Sequence, residues 1–129
     1  LVREARALAG ERRSEAGYLL GLGDGTPEGV QGAHITAAAM AADPVAIAAF
    51  DTVGTWLGQG LADLTAVLDP DVFVIGGGVS DAGELLLASA RTTLAEQLVG
   101  GTTRPTPRIL LAQLGNAAGL IGAADLARH

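Results

Sequence analysis

Asp69-Pro70-Asp71-Val72-Phe73-Val74-Ile75-Gly76-Gly77-Gly78-Val79-Ser80-Asp81 is the stretch whose reading decides the fold. Proline at 70 disfavours a helical conformation at 69, so any preceding helix stops there. Val72, Phe73, Val74 and Ile75 form an uncharged β-branched and aromatic run, which predicts a strand buried on both faces. Three glycines follow at once. Asp81 and Glu84 then have the spacing of a capping box, which predicts a helix starting at Asp81. The order strand, glycine turn, helix belongs to an α/β sheet, and the turn falls at the carboxyl edge, where such sheets bind ligands. Glycines there let a ligand reach the backbone and permit positive φ. A tight turn with no ligand is the competing reading.

Two common nucleotide motifs are excluded. A dinucleotide fingerprint needs glycine three places beyond Gly78, and that place holds Asp81; Gly58-Gln59-Gly60 fails in the same way at Asp63. A Walker A loop needs a lysine, and all eight basic residues here are arginine. A nucleotide at this turn is held by another plan.

Composition narrows the class. The 129 residues suit one domain, expected to be a single segment over 1–129. Hydrophobic residues make up 49% but aromatics only 3%, so the core must be built from Ala, Val, Leu and Ile. A net charge of −6 argues against a nucleic-acid surface, which needs clustered cations. With no cysteine, neither a disulfide framework nor a thiolate metal site can form from these residues. Apolar stretches break well short of the ~18 residues a membrane span needs, and no signal-peptide pattern is present. These features predict a cytoplasmic protein. Leu1 already stands in helical spacing with no capping residue before it, which predicts a piece of a longer chain.

Working back from the central stretch, Asp43-Pro44 pairs a helix cap with proline at the first helical position. Phe50, Val53, Leu57, Leu61, Leu64 and Leu68 then trace the inner face of a long helix. Gly54 and Gly58, four apart, allow another backbone to come close, and Trp56 is expected in the core or at a subunit contact. Residues 34–42 read as a short helix. Residues 17–32, rich in glycine, read as irregular, so Gly21-Leu22-Gly23-Asp24-Gly25 is taken as a surface loop rather than a phosphate loop. A first helix is expected to stop at Gly10.

Working forward, a helix is expected to about Val99, and Arg108-Ile109-Leu110-Leu111-Ala112 reads as a second strand. Two strands joined through a helix lie parallel by a right-handed crossover. Asn116 then reads as the cap of a last helix whose inner face is Leu120, Ile121 and Ala124. The turns after the two strands should open on one edge, which favours the ligand reading.

Trp56-Leu57-Gly58-Gln59-Gly60-Leu61, Leu68-Asp69-Pro70-Asp71, Val74-Ile75-Gly76-Gly77-Gly78-Val79-Ser80 and Leu114-Gly115-Asn116-Ala117-Ala118-Gly119-Leu120-Ile121-Gly122 occur in this order. Together they resemble the carboxyl-terminal part of the ROK family of repressors and sugar kinases, with the likeness strongest to its bacterial glucokinases of actinobacterial type. The resemblance implies part of the carboxyl-terminal lobe of an actin-like, hexokinase-type (ribonuclease H-like) ATPase fold, helix-rich with a short parallel strand pair. It implies that Gly76, Gly77, Gly78 and Asn116 lie against the adenosine of ATP. The implied reaction of the intact protein is ATP-dependent phosphorylation of glucose, or a related hexose, with Mg²⁺, in a homodimer or homotetramer.

The chain departs from that pattern in what it lacks. The family's phosphate loop, catalytic aspartate and cysteine-rich structural Zn²⁺ motif have no match here and are expected upstream, so this segment supplies no catalytic residue and no metal ligand. Asp69, Asp71 and Asp81 are explained by turn, strand and cap positions, and His34 and His129 read as structural or solvent-facing. Two other functions remain open at this point: a sugar-responsive repressor of the same family, and a ligand-free segment for subunit association.

Overall fold

The computed structural model describes residues 1–77, 82–100, 105–113 and 117–127. The described elements, in chain order, are α1 (Val2–Glu11), α2 (Gly17–Gly21), α3 (Gly32–Met40), α4 (Pro44–Leu68), β1 (Val72–Ile75), α5 (Glu84–Gln97), β2 (Arg108–Leu111) and α6 (Ala118–Leu126).

The first three helices pack around the amino-terminal half of α4, burying Ala5, Ala9, Leu19, Val30, Ile35, Val45 and Phe50 in one cluster. α1 runs through Gly10 instead of stopping there, and its closing bond is Arg12 N–H to the Leu8 carbonyl at 2.8 Å. Residues 17–21, expected to be irregular, form the short helix α2 because Leu19 and Leu20 are buried; burial overrides weak propensity. The loop beyond it is held by its own side chains, as a surface loop should be. Asp24 accepts from Thr26 N–H at 2.9 Å and from Thr26 Oγ1 at 2.7 Å, and those bonds keep its carboxyl below the usual range. Arg6 donates twice to the Val30 carbonyl, at 3.1 and 2.9 Å.

α3 begins at Gly32, two residues before the expected start, because Gln31 and His34 cap it reciprocally. His34 Nδ1 accepts from Gln31 N–H at 3.2 Å, which is the structural role expected of it. Asp43 is the cap of α4 that the sequence predicts: its Oδ1 accepts from Val45 and Ala46 N–H, both at 2.9 Å. Its Oδ2 also accepts from Leu19 N–H at 3.1 Å, so one buried carboxylate ties α2 to α4.

The expected inner stripe of α4 is correct only for its first part. Phe50 and Leu61 are buried and Val53 and Leu57 partly so, but Leu64 and Leu68 are exposed, as is half of Trp56. In the second half the buried line passes through Gly54, Gly58, Leu61, Ala62 and Thr65. The reason is the backbone of α5. A Cβ on Gly54 would lie 2.7 Å from the Leu86 carbonyl oxygen, and one on Gly58 2.6 Å from that of Ala90. The two glycines therefore turn inward, and the larger side chains at 64 and 68 turn out. Asp69 ends the helix in the left-handed region, with φ 48°.

β1 and β2 are parallel, with Val72 opposite Arg108 and Ile75 opposite Leu111. Phe73, Ile75, Ile109 and Leu111 pack on Leu61, Leu87, Ala90, Leu94 and Leu98. β1 is not buried on both faces as expected: Val74 is 64% exposed, and Leu110 beside it is 44% exposed. Among the described residues helices cover one face of the pair. Arg91 pairs with Glu84 and donates to the Ile109 carbonyl at 3.4 Å, fastening α5 to β2.

Three expectations about helix ends are corrected. The cap of α5 is Gly83, with Glu84 first in the helix, so the helix starts later than expected; Asp81 lies outside the described residues. α5 ends at Gln97, two residues before Val99. The cap of α6 is Ala117 rather than Asn116, and Leu120, Ile121 and Ala124 are exposed instead of forming an inner face.

Candidate functional site

The parallel register brings the carboxyl ends of both strands together. Ala112 N–H donates to the Ile75 carbonyl at 2.8 Å, one step beyond the last pair. A Cβ on Gly76 would meet the Ala112 Cβ at an ordinary 3.5 Å. The chain thus leaves both strands at one edge, as expected. Gly77 has φ +89°, a conformation that glycine adopts without strain, and no described atom lies within 4 Å of where its Cβ would be. Of the four site residues read from the sequence, Gly76 and Gly77 stand at this edge; Gly78 and Asn116 lie outside the described residues.

The start of α5 lines a groove of about 440 Å³. Its lining comes from both sides: Met40 at the end of α3, Ile47 and Phe50 on α4, and Ala82, Leu85 and Ala88 at the start of α5. Ala82 and Phe50 are buried and form the floor, whereas Met40 is 73% and Ile47 37% exposed at the rim. Asp51 and Glu84 complete the lining. Such a slot suits a flat, largely apolar body with a few polar edges. It does not suit phosphate, since the charged side chains lining it are both carboxylates.

None of the groove was identified from the sequence. Met40 and Ile47 are ordinary apolar residue types, and only their exposure beside the start of α5 sets them apart. At the opposite, amino edge of the strands, Asp69, Pro70, Asp71 and residues 105–107 line a smaller cavity of about 250 Å³. Asp69 caps α4 there and the Asp71 carbonyl accepts from Arg108 N–H at 3.0 Å, so both have the structural roles expected. Among the described residues no three His, Cys, Asp or Glu side chains are placed to hold a metal ion. No single described helix is long and apolar enough to cross a membrane.

The family model described as "ROK family" matches residues 6–129. The chain belongs to the ROK family. Its sequence is 49% identical to a glucokinase of Streptomyces coelicolor over 129 residues, which is all of this chain and 41% of that relative. It is 43% identical over 84 residues to an N-acetylgalactosamine kinase of a Shewanella species, covering 65% of this chain and 26% of that one. A crystal structure of a ROK family glucokinase from Streptomyces griseus, in complex with glucose and AMPPNP, superposes with a TM-score of 0.95 at 50% identity. That match covers 98% of this chain and 41% of the other. The chain thus spans about two-fifths of the length of these two glucokinases. The fold is the expected part of an actin-like ATPase, helix-rich with two parallel strands.

Proposed function

We propose that residues 1–129 are the carboxyl-terminal, nucleotide-side lobe of a longer ROK kinase that phosphorylates glucose with ATP. In this reading ATP's terminal phosphoryl group passes to the 6-hydroxyl of glucose. Gly76, Gly77, Gly78 and Asn116 border the adenosine, and the groove between Ile47 and Leu85 takes the base. The observation that carries the proposal is a positive-φ glycine at the shared carboxyl edge of two parallel strands, with an apolar groove at the start of the helix that follows. It is supported by 49% identity to a glucokinase along the whole chain.

In this reading Mg²⁺ accompanies the nucleotide, and the structural Zn²⁺ and the aspartate that takes the proton from the sugar hydroxyl are supplied upstream of these residues. What this lobe contributes is position. Phosphoryl transfer depends mainly on holding donor and acceptor in line, and a lobe that fixes the nucleoside fixes one end of that line. The intact protein is proposed to act in the cytoplasm, at the entry of glucose into glycolysis, as a homodimer or homotetramer. Trp56, half exposed on α4, is available for such a contact.

The test is Gly77→Val in the intact protein. A branched side chain resists φ +89° and fills the open space above the turn. Calorimetric titration should show ATP affinity falling by about tenfold or more, equal to at least ~1.4 kcal/mol, with glucose affinity within about twofold. Unchanged ATP affinity in a variant with native circular dichroism would remove the turn from the site.

A further inference from the structure

The groove carries a carboxylate toward each end, Glu84 at the start of α5 and Asp51 on α4. α5 starts at Glu84, with Gly83 near Leu111 at the end of β2, and Ala88 is four residues, about 6 Å of helix, further on. Immediately beyond Ala88, Ser89 donates its hydroxyl to Asp51 Oδ1 across the α4–α5 seam at 2.6 Å. That bond fixes the Asp51 carboxylate one turn along α4 from Ile47, at the groove's far end. Asp51 Oδ2 has no hydrogen-bond partner among the described residues. Glu84, the other carboxylate of the groove, is at the near end and is paired with Arg91. A nucleoside with its ribose at the turn would point its base toward a tethered acceptor with one lone-pair oxygen to spare.

The geometry points to Asp51 as the residue that reads the base, by accepting a hydrogen bond from the 6-amino group of adenine; this inference rests on the groove holding the base as proposed above. A carboxylate can only accept. It matches the amino donor of adenine at that position and repels the carbonyl oxygen that guanine carries there. A hydrogen bond to a charged acceptor is stronger than a neutral one, and the bond to Ser89 holds this exposed carboxylate in place before the base arrives.

The probe is purine riboside 5′-triphosphate, which is ATP without the 6-amino group, titrated beside ATP and GTP into the intact protein. The wild type should bind ATP about tenfold tighter than the des-amino analogue. Asp51→Ala should bring the two within about twofold by weakening ATP alone. Ser89→Ala, which releases the carboxylate, should give an intermediate ratio. Equal wild-type affinities overturn the inference, and so does a ratio that survives Asp51→Ala. Tighter binding of GTP than of ATP, lost in Asp51→Ala, overturns it in favour of the other purine edge. If the Asp51 ratios fail while Gly77→Val still abolishes ATP binding, the nucleotide reading stands and Asp51 alone is removed. If the wild type binds no nucleotide, both fall together.

Discussion

Gly58→Ala adds one methyl group at the point where α4 and α5 touch backbone to backbone. The new Cβ would lie 2.6 Å from the Ala90 carbonyl oxygen, 2.7 Å from the Thr93 Cβ and 3.2 Å from the Leu94 nitrogen, where ordinary contact begins at 3.4 Å. Two of these three neighbours are backbone atoms of α5. They cannot rotate away, so the helices must separate along a seam that also seats Leu87, Ala90 and Leu94. Overpacking of this kind costs about 1–3 kcal/mol, and alanine returns up to about 1 kcal/mol of helix propensity. The expected net loss is about 1–2 kcal/mol. Gly60→Ala supplies the internal reference: it lies two residues further on the same helix, is exposed, and its Cβ would meet nothing within 4 Å. It should gain about 0.5–1 kcal/mol from propensity alone. Urea unfolding followed by far-ultraviolet circular dichroism compares the two variants directly. At a slope of about 1–1.5 kcal/mol per molar for a small domain, the midpoints should differ by about 1–3 M. If Gly58→Ala proves as stable as Gly60→Ala, the close approach of α4 and α5 does not hold in solution and the argument for these glycines fails.

Two further changes probe the junction that sets the groove. Asp43→Ala should cost about 3 kcal/mol, by losing the α4 cap and leaving the Leu19 N–H without its acceptor; Asp43→Asn, which keeps one acceptor oxygen, should lose about half as much, and an asparagine variant of full stability in urea would refute the bond to Leu19. Ala42→Gly should raise the unfolding free energy by about 0.5–1 kcal/mol, because Ala42 is exposed and held at φ +62°; a fall in stability would mean that the left-handed conformation carries no strain.

The parts of the fold that were legible in the sequence are those fixed by local chemistry. Asp43-Pro44 starts α4, Asp69-Pro70 ends it, and the uncharged run from 72 to 75 is a strand. What misled was hydrophobic spacing taken as burial. Leu64 and Leu68 continue the rhythm of Phe50 and Leu61, yet they are exposed because α5 approaches along the glycine side of the helix. Periodicity shows that a face exists, and the size of the neighbouring groups decides which face is inside. α6 errs in the same way: Leu120 and Ile121 have the spacing of an inner face, and no described element covers them. The short helix α2 was missed for the opposite reason. Its flanking glycines argue for a loop, and burial of Leu19 and Leu20 in a cluster that draws on all of α1 to α5 overrules them.

The candidate site divides along the same line. Its glycine half is a property of backbone, and glycines adjoining a strand announce it: the sequence placed Gly76 and Gly77 at the carboxyl edge, and the parallel register puts Ala112 beside them. Its groove half is a property of surface, made where Met40 and Ile47 come to face Ala82 and Leu85 across more than thirty residues of chain. No single one of those positions is unusual for its element. They face one another because α3 ends at Met40, Ala42 reverses the chain at positive φ, and Asp43 fixes the first turn of α4 against α2. The same capped turn starts the helix that carries Ile47 and Asp51 to the groove and, further on, Gly54 and Gly58 to α5. A change at Asp43 should therefore reach the nucleotide by moving the groove wall, while a change at Gly77 should reach it directly. The first would alter ATP affinity together with stability, and the second would alter ATP affinity with stability largely kept. Measuring both quantities for both variants separates a residue that shapes the site from one that borders the ligand.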